Sequence, residues 1–229
     1  MSKTFLLVGA SSAMSVETAR LLTQGNHTVI GISRQAIHEP YSQVHNVIDY
    51  NFGSLPNLTD PIDGLVYFPG SIRLKPFTRI SKEEFLEDYT INVLGAINVL
   101  QQYLPLLKKT TSPSVVLISS VAAKTGMPFH TSIASAKAAI EGLSISLAAE
   151  LAPQVRVNCI APSLVNTPLA EKFLSTDEKQ EAMKKRNPSH KIGSSKELAQ
   201  LISFLLSDHS SYINGQIISI DGGHSSLRV

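Results

Sequence analysis

Little in this sequence points to a partner by bulk alone. Among 229 residues, 20 lysines and arginines stand against 18 aspartates and glutamates, a formal net charge of +2. So small an imbalance creates no field for nucleic acid or an anionic membrane, and neither is expected as a partner. The single cysteine, Cys159, excludes an internal disulfide and fits a reducing, cytoplasmic compartment. No apolar run is long enough to span a bilayer, and Phe5–Val8 is too short for the core of a signal peptide. Repeats, low-complexity tracts and linkers are missing too, so residues 1–229 are expected to form one domain. No metal site is expected.

What is present is alternation. Phe5–Val8, Thr28–Ile32, Val44–Ile48, Gly64–Phe68, Val115–Ser119, Arg156–Ile160 and Gln216–Ile220 each read as buried strands. Amphipathic segments lie between them, two of which start at capping boxes, Ser81–Glu84 and Ser194–Glu197. A hydrophobic content of 43% against 17% charged residues suits a sheet covered on both faces. The expected fold is α/β: a Rossmann-type, doubly wound, seven-stranded parallel sheet with helices on both faces. Such sheets bind ligands beyond the carboxyl ends of their strands. The polar, basic stretch at about 168–195, centred on Lys184-Lys185-Arg186, reads either as a mobile lid or as a solvated surface excursion.

After the first strand comes Gly9-Ala10-Ser11-Ser12-Ala13-Met14-Ser15. A turn of small residues there brings backbone amides at a helix N-terminus towards a pyrophosphate, with Gly9, Ser11, Ser12 and Met14 as contacts. Tight strand–helix packing explains small residues equally well. The second strand ends in Ser33-Arg34. A neutral residue followed by arginine suits an adenosine 2′-phosphate, which favours NADP(H) over NAD(H); an ordinary surface arginine is the alternative.

From here the residues resemble the short-chain dehydrogenase/reductase family, nearly end to end. The resemblance runs through Asp49, Pro69-Gly70, Lys75-Pro76-Phe77, Ile91-Asn92-Val93-Leu94-Gly95, Ile118-Ser119-Ser120, Val155–Pro162 and Tyr212–Gln216, closing on Asp221-Gly222-Gly223. It implies that Asp49 closes the third strand at the adenine, and that Gly70, Pro162, Val165 and Thr167 border the dinucleotide. It also implies catalytic roles for Asn92, Ser120 and Lys137. The asparagine steadies a water relay and the serine polarises the carbonyl. The lysine binds the nicotinamide ribose and lowers the pKa of a tyrosine that donates the proton.

That tyrosine is absent. Thirteen residues after Ser120 stands Ile133, although Lys137 follows four later as the pattern requires. The glycine pattern of the first loop reads Gly9, Ala13 and Ser15, and Ser163 replaces a glycine after Pro162. The Ala13 methyl crowds a pyrophosphate, which the Ser15 hydroxyl is expected to offset by donating to a phosphate oxygen. Enoyl-acyl-carrier-protein reductases, a divergent branch, carry a serine at the third glycine and a tyrosine seven residues before the lysine. In this chain the latter position is His130. Its pKa range suits proton donation, and a locally bonded, inert loop histidine is the competing reading.

The resemblance therefore implies an NADP(H)-dependent oxidoreductase moving hydride to or from a carbonyl, enoyl or oxoacyl substrate with an atypical proton donor. The alternative is a catalytically silent dinucleotide-binding protein. Family members pack their central helices about two-fold axes, so a small-molecule carbonyl or thioester and further copies of the chain, as a homodimer or homotetramer, are the expected partners.

Overall fold

A computed structural model describes residues 2–51 and 53–228. The chain runs β1 (Thr4–Val8), α1 (Ala13–Gln24), β2 (Thr28–Ser33), β3 (Gln43–Asn46), β4 (Gly64–Tyr67), α2 (Lys82–Tyr89), α3 (Gly95–Leu107) and β5 (Ser114–Ile118). It continues through α4 (Thr131–Leu151), β6 (Arg156–Pro162), β7 (Val165–Asn166), α5 (Glu171–Leu174), α6 (Asp177–Lys185), β8 (Gly193–Ser194), α7 (Ser195–Leu206) and β9 (Ile217–Ile220). Seven strands pair in parallel, as the alternation of the sequence predicts, and the structure gives their order as β3-β2-β1-β4-β5-β6-β9. The order reverses between β1 and β4, which opens the crevice where ligands of such sheets bind.

Each face of the sheet has its own core, because successive side chains of a strand point opposite ways. Leu6, Val8, Leu65, Tyr67, Val115 and Leu117 pack against α3 and α4. Phe5, Leu7, Val66 and Val116 pack with residues of α1 and α7 on the other side. Burial on both faces explains why the strands read as unbroken apolar runs. Both capping boxes form, at Ser81 with Glu84 and at Ser194 with Glu197.

The expected boundaries shift by a residue or two. The largest consequence is at β3, which ends at Asn46, so that Ile48 is exposed and Asp49 stands outside the ladder. Asp49 therefore does not close the third strand. Its carboxylate instead turns back on Asn51, accepting from the backbone amide at 2.9 Å and the side-chain amide at 2.8 Å. The 168–195 stretch carries two short helices, α5 and α6, and is closed at its base by the short pairing of β7 with β8. Among the described residues no helix is long and apolar enough to cross a membrane.

Between α2 and α3 the helix widens into a π turn over Thr90–Leu94, where the Gly95 amide reaches the Thr90 carbonyl. Two contacts account for it. The Asn92 side-chain amide donates to the Asp88 carbonyl at 2.8 Å, occupying an acceptor of the regular ladder. The Tyr67 hydroxyl donates to the Ile91 carbonyl at 2.6 Å, and a Cβ at position 95 would lie 2.2 Å from that hydroxyl. Only glycine fits there. Such turns concentrate at functional sites.

The loop after β1 is clamped from outside. Tyr41, buried, donates to the Ala10 carbonyl at 2.7 Å and lies 2.8 Å from the Ser15 hydroxyl oxygen. Burial pushes its phenol well above the usual range. Tyr41→Phe is expected to cost about 1–2 kcal/mol, the penalty for orphaning a buried acceptor, the Ala10 carbonyl, and a buried donor, the Ser15 hydroxyl, measured as a lower urea midpoint with unchanged slope. An unchanged midpoint removes the clamp.

Candidate active site

The sheet brings the expected residues to one edge. Gly9, Ser11, Ser12 and Met14 follow β1; Ser33 ends β2 and Arg34 follows it; Gly70 follows β4; Ser120 follows β5; Pro162 ends β6, with Val165 and Thr167 just beyond. All lie at carboxyl ends of parallel strands. Gly9 has φ +83°, and a Cβ there would meet the Pro69 ring at 2.9 Å, so the first turn requires glycine. The Ser12 hydroxyl caps α1 by accepting from the Ser15 amide at 3.1 Å.

Ser15 departs from expectation. It is fully buried and its hydroxyl faces Tyr41, so it does not present itself to a phosphate. Ser33 is likewise buried, its hydroxyl accepting from the Gln35 amide at 3.1 Å. Arg34 is exposed, with its guanidinium carbon 5.8 Å from the Tyr50 ring centroid. Together with Asp49, Asn51 and Thr90 these two side chains line a cleft.

The centre of the edge is built around Lys137. It lies on α4, is 8% exposed, and donates to the Ile118 carbonyl at 2.8 Å. Two of its three ammonium protons are left for other acceptors. Desolvation lowers its pKa from the usual 10.5 to about 8. A Cβ placed on Gly70 would sit 3.2 Å from Asn92 Oδ1 and 3.5 Å from Lys137 Nζ. Gly70 thus floors a hollow walled by an amide oxygen and an ammonium. Asn92 Oδ1 is buried with no hydrogen-bond partner. An orphaned acceptor, an under-used buried cation and a glycine floor fit a polar ligand such as a ribose of a dinucleotide.

Ser120 sits at the N-terminus of a short turn, where its oxygen accepts from the Ala122 amide at 3.2 Å. Beneath it, Ser119 donates to the buried Glu141 carboxylate at 2.9 Å, and Glu141 pairs with Lys124 at 3.3 Å. Thr167 lies on the chain leaving β7, its hydroxyl 3.5 Å from the Val165 carbonyl. Ile133, where the family pattern has tyrosine, is 5% exposed on the same helix as Lys137. His130 is the N-cap of α4, where its carbonyl accepts the Ala134 amide at 2.8 Å. Its Nδ1 is 2.7 Å from the Pro128 carbonyl, the locally bonded arrangement of a loop histidine.

Three polar residues of the site escaped the sequence reading. Asp88 is fully buried; it accepts from Ser71 at 2.6 Å and from Ser132 at 2.7 Å. Ser71 also accepts from the Asn92 side-chain amide at 3.0 Å. No spacing links positions 71, 88 and 132, and an aspartate on an amphipathic helix reads as a surface acid.

The chain is similar to known reductases and dehydrogenases over nearly its whole length. Residues 41–225 match a family model described as enoyl-(acyl carrier protein) reductase. The chain is 32% identical over 240 residues to a 3-oxoacyl-acyl-carrier-protein reductase of Thermotoga maritima, covering 96% of this chain and 97% of that protein. It is 32% identical over 241 residues to the same reductase of Aquifex aeolicus, covering 96% of each. A short chain dehydrogenase family protein from Francisella tularensis superposes with a TM-score of 0.91 at 26% identity, covering 99% of this chain and all of the other.

Lys137 carries a stability signature. Its folded pKa lies below its unfolded value, so between about pH 8 and 10.5 the unfolded chain binds more protons and stability rises with pH. Below that window the buried ammonium costs the fold up to about 3 kcal/mol. Lys137→Met is expected to be the more stable protein in urea at pH 7, by about 1–3 kcal/mol, with the gap narrowing by pH 10. A variant less stable than the parent at pH 7 contradicts this.

Proposed function

The chain belongs to the short-chain dehydrogenase/reductase family, and on that premise we propose that it is an NADP(H)-dependent oxidoreductase acting on a carbonyl group with an atypical proton donor. Residues 1–229 form one catalytic domain in this reading, with the 168–195 segment as its lid. The observation that carries it is the buried Lys137 ammonium facing the same hollow as the unpartnered Asn92 oxygen. Burying a cation in a helix of small and apolar residues is unfavourable unless something uses it.

In this reading the loop from Gly9 to Met14 holds the pyrophosphate and Lys137 holds the nicotinamide ribose. Asp49 and Arg34 border the adenosine, and Val165 and Thr167 the carboxamide. The bound nicotinamide supplies the hydride donor or acceptor. Ser120 donates its hydroxyl proton as a hydrogen bond to the substrate oxygen, and its own oxygen is already oriented by the Ala122 amide. Ile133 contributes an apolar wall and no proton. With Nδ1 engaged by Pro128, His130 keeps only Nε2 for any proton transfer. Losing a general acid costs about 10²–10⁴-fold, so slow turnover is expected, not silence.

The similarity to acyl-carrier-protein reductases supports an oxoacyl or enoyl thioester as substrate. The lid lysines are mostly engaged locally, Lys184 with Glu181 and Lys179 with Ser175, which supports a solvated outer face. Exposed Leu86, Tyr89, Leu94 and Ile145 support self-association into a homodimer or homotetramer in the cytoplasm.

Arg34 is the test of cofactor choice. Arg34→Ala is expected to weaken NADPH binding about tenfold, as for one lost charge-assisted bond, while NADH changes less than threefold. Both are read by nicotinamide fluorescence. Equal losses for the two dinucleotides overturn the NADP(H) preference, and no saturable binding of either overturns the reading.

A further inference from the structure

We propose that the proton missing with the tyrosine travels through Ser71 and Asp88. This rests on the oxidoreductase reading above and names the residues that complete it. Asp88 is a fully buried carboxylate whose two oxygens each accept a serine hydroxyl, Ser71 at 2.6 Å and Ser132 at 2.7 Å. Ser132 precedes Ile133 in α4, so the network is tied to the helix that has lost its proton donor. At its other end Ser71 is half-buried and follows Gly70, whose open side faces Lys137 and Asn92.

The hydrogen bonds set the direction of transfer. A serine oxygen has one proton to donate and two lone pairs to accept with. Ser71 gives its proton to Asp88 and takes one bond from Asn92 at 3.0 Å, which leaves one lone pair open. That lone pair accepts the hydroxyl proton of an alcohol substrate while Ser71 passes its own proton to Asp88 Oδ1. The carbinol C–H bond breaks with its electron pair going to the oxidised dinucleotide, and a carbonyl forms. Reduction starts from Asp88 carrying that proton on Oδ1: hydride reaches the carbonyl carbon, Ser71 gives its proton to the new alkoxide, and the Asp88 proton passes to Ser71, leaving the carboxylate that accepts both serines.

The lid stands over this corner. Lys172 of α5 reaches the Ile72 carbonyl at 3.1 Å, one residue past Ser71, so a substrate held under the lid meets the Ser71 hydroxyl. The loop is fixed on its other side by the Lys75 amide, which donates to the Phe129 carbonyl at 3.1 Å. In this scheme Ser71 is the catalytic residue; Asp88 acts through it and Ser132 holds Asp88.

The experiment measures three quantities for the wild type, Ser71→Ala, Asp88→Asn and Ser132→Ala. They are the NADPH dissociation constant, thermal unfolding, and kcat with a panel of 3-oxoacyl thioesters and ketones in H₂O and D₂O. Ser71→Ala and Asp88→Asn are expected to lower kcat about 10²-fold with the NADPH constant moving less than threefold. Ser132→Ala is expected to lower kcat less than Ser71→Ala does, despite equal or greater destabilisation, because it loosens the carboxylate without cutting the chain to the cleft. The wild-type solvent isotope effect on kcat should disappear in Ser71→Ala. A Ser71→Ala protein within threefold of wild-type kcat overturns the relay, as does a rank order of kcat that follows stability alone. Ser71→Ala removes one hydroxyl at a half-buried position, so it stays informative if Asp88→Asn fails to fold. A wild type that binds NADPH and reduces nothing overturns the oxidoreductase reading and the relay together; wild-type turnover unharmed by Ser71→Ala overturns the relay alone.

Discussion

A positive charge kept out of water is the constraint around which this molecule is arranged. The Lys137 ammonium sits under strand ends on a helix of small and apolar residues, with one carbonyl, that of Ile118, as its hydrogen-bond acceptor. A protein selected for stability alone would place an apolar side chain there. The surroundings are what an ammonium with spare valence needs: a glycine at position 70 that leaves space, and an asparagine oxygen that leaves an acceptor open. The site is unfinished without a polar guest.

That unfinished centre is supported by unusually polar packing against α4. Glu141, one turn after Lys137, accepts the Ser119 hydroxyl proton, and the same Ser119 oxygen lies 3.2 Å from the Lys137 carbonyl. On the far side Asp88 ties α2 to the start of α4 through Ser132 and to the β4 loop through Ser71. Both carboxylates are buried and both are hydrogen-bonded, the condition under which such groups rigidify an active site instead of weakening it. The π turn at Thr90–Leu94 belongs to the same construction, since the amide that widens it also reaches Ser71. In the proposed scheme, proton chemistry moves off the position that holds Ile133 and onto this network.

Much of this was legible in the sequence, for a physical reason. Strands buried on both faces leave continuous apolar runs, and crossovers leave helices between them, so the parallel sheet follows from pattern. Lys137 and Asn92 are legible through the family resemblance, with Lys137 at the spacing from Ser120 that the pattern requires. The Ser81 and Ser194 capping boxes are local in sequence and were equally readable. What escaped was non-local. Tyr41 clamps the first loop from a segment with no motif of its own, and for that reason Ser15 faces inwards and not towards a phosphate. Asp49 was displaced because β3 ends early, a boundary that apolar pattern does not define. Asp88, Ser71 and Ser132 come from three separate stretches, and only folding makes them neighbours.

The account stands on the hollow at Lys137 taking a nicotinamide dinucleotide. Isothermal titration of the folded protein with NADP⁺ and NADPH, beside Lys137→Met, examines it directly. The expected result is saturable heat for the parent and affinity at least tenfold weaker for the variant, as for loss of a charge-assisted bond. No heat from the folded parent with either dinucleotide, or the same affinity in both proteins, contradicts it.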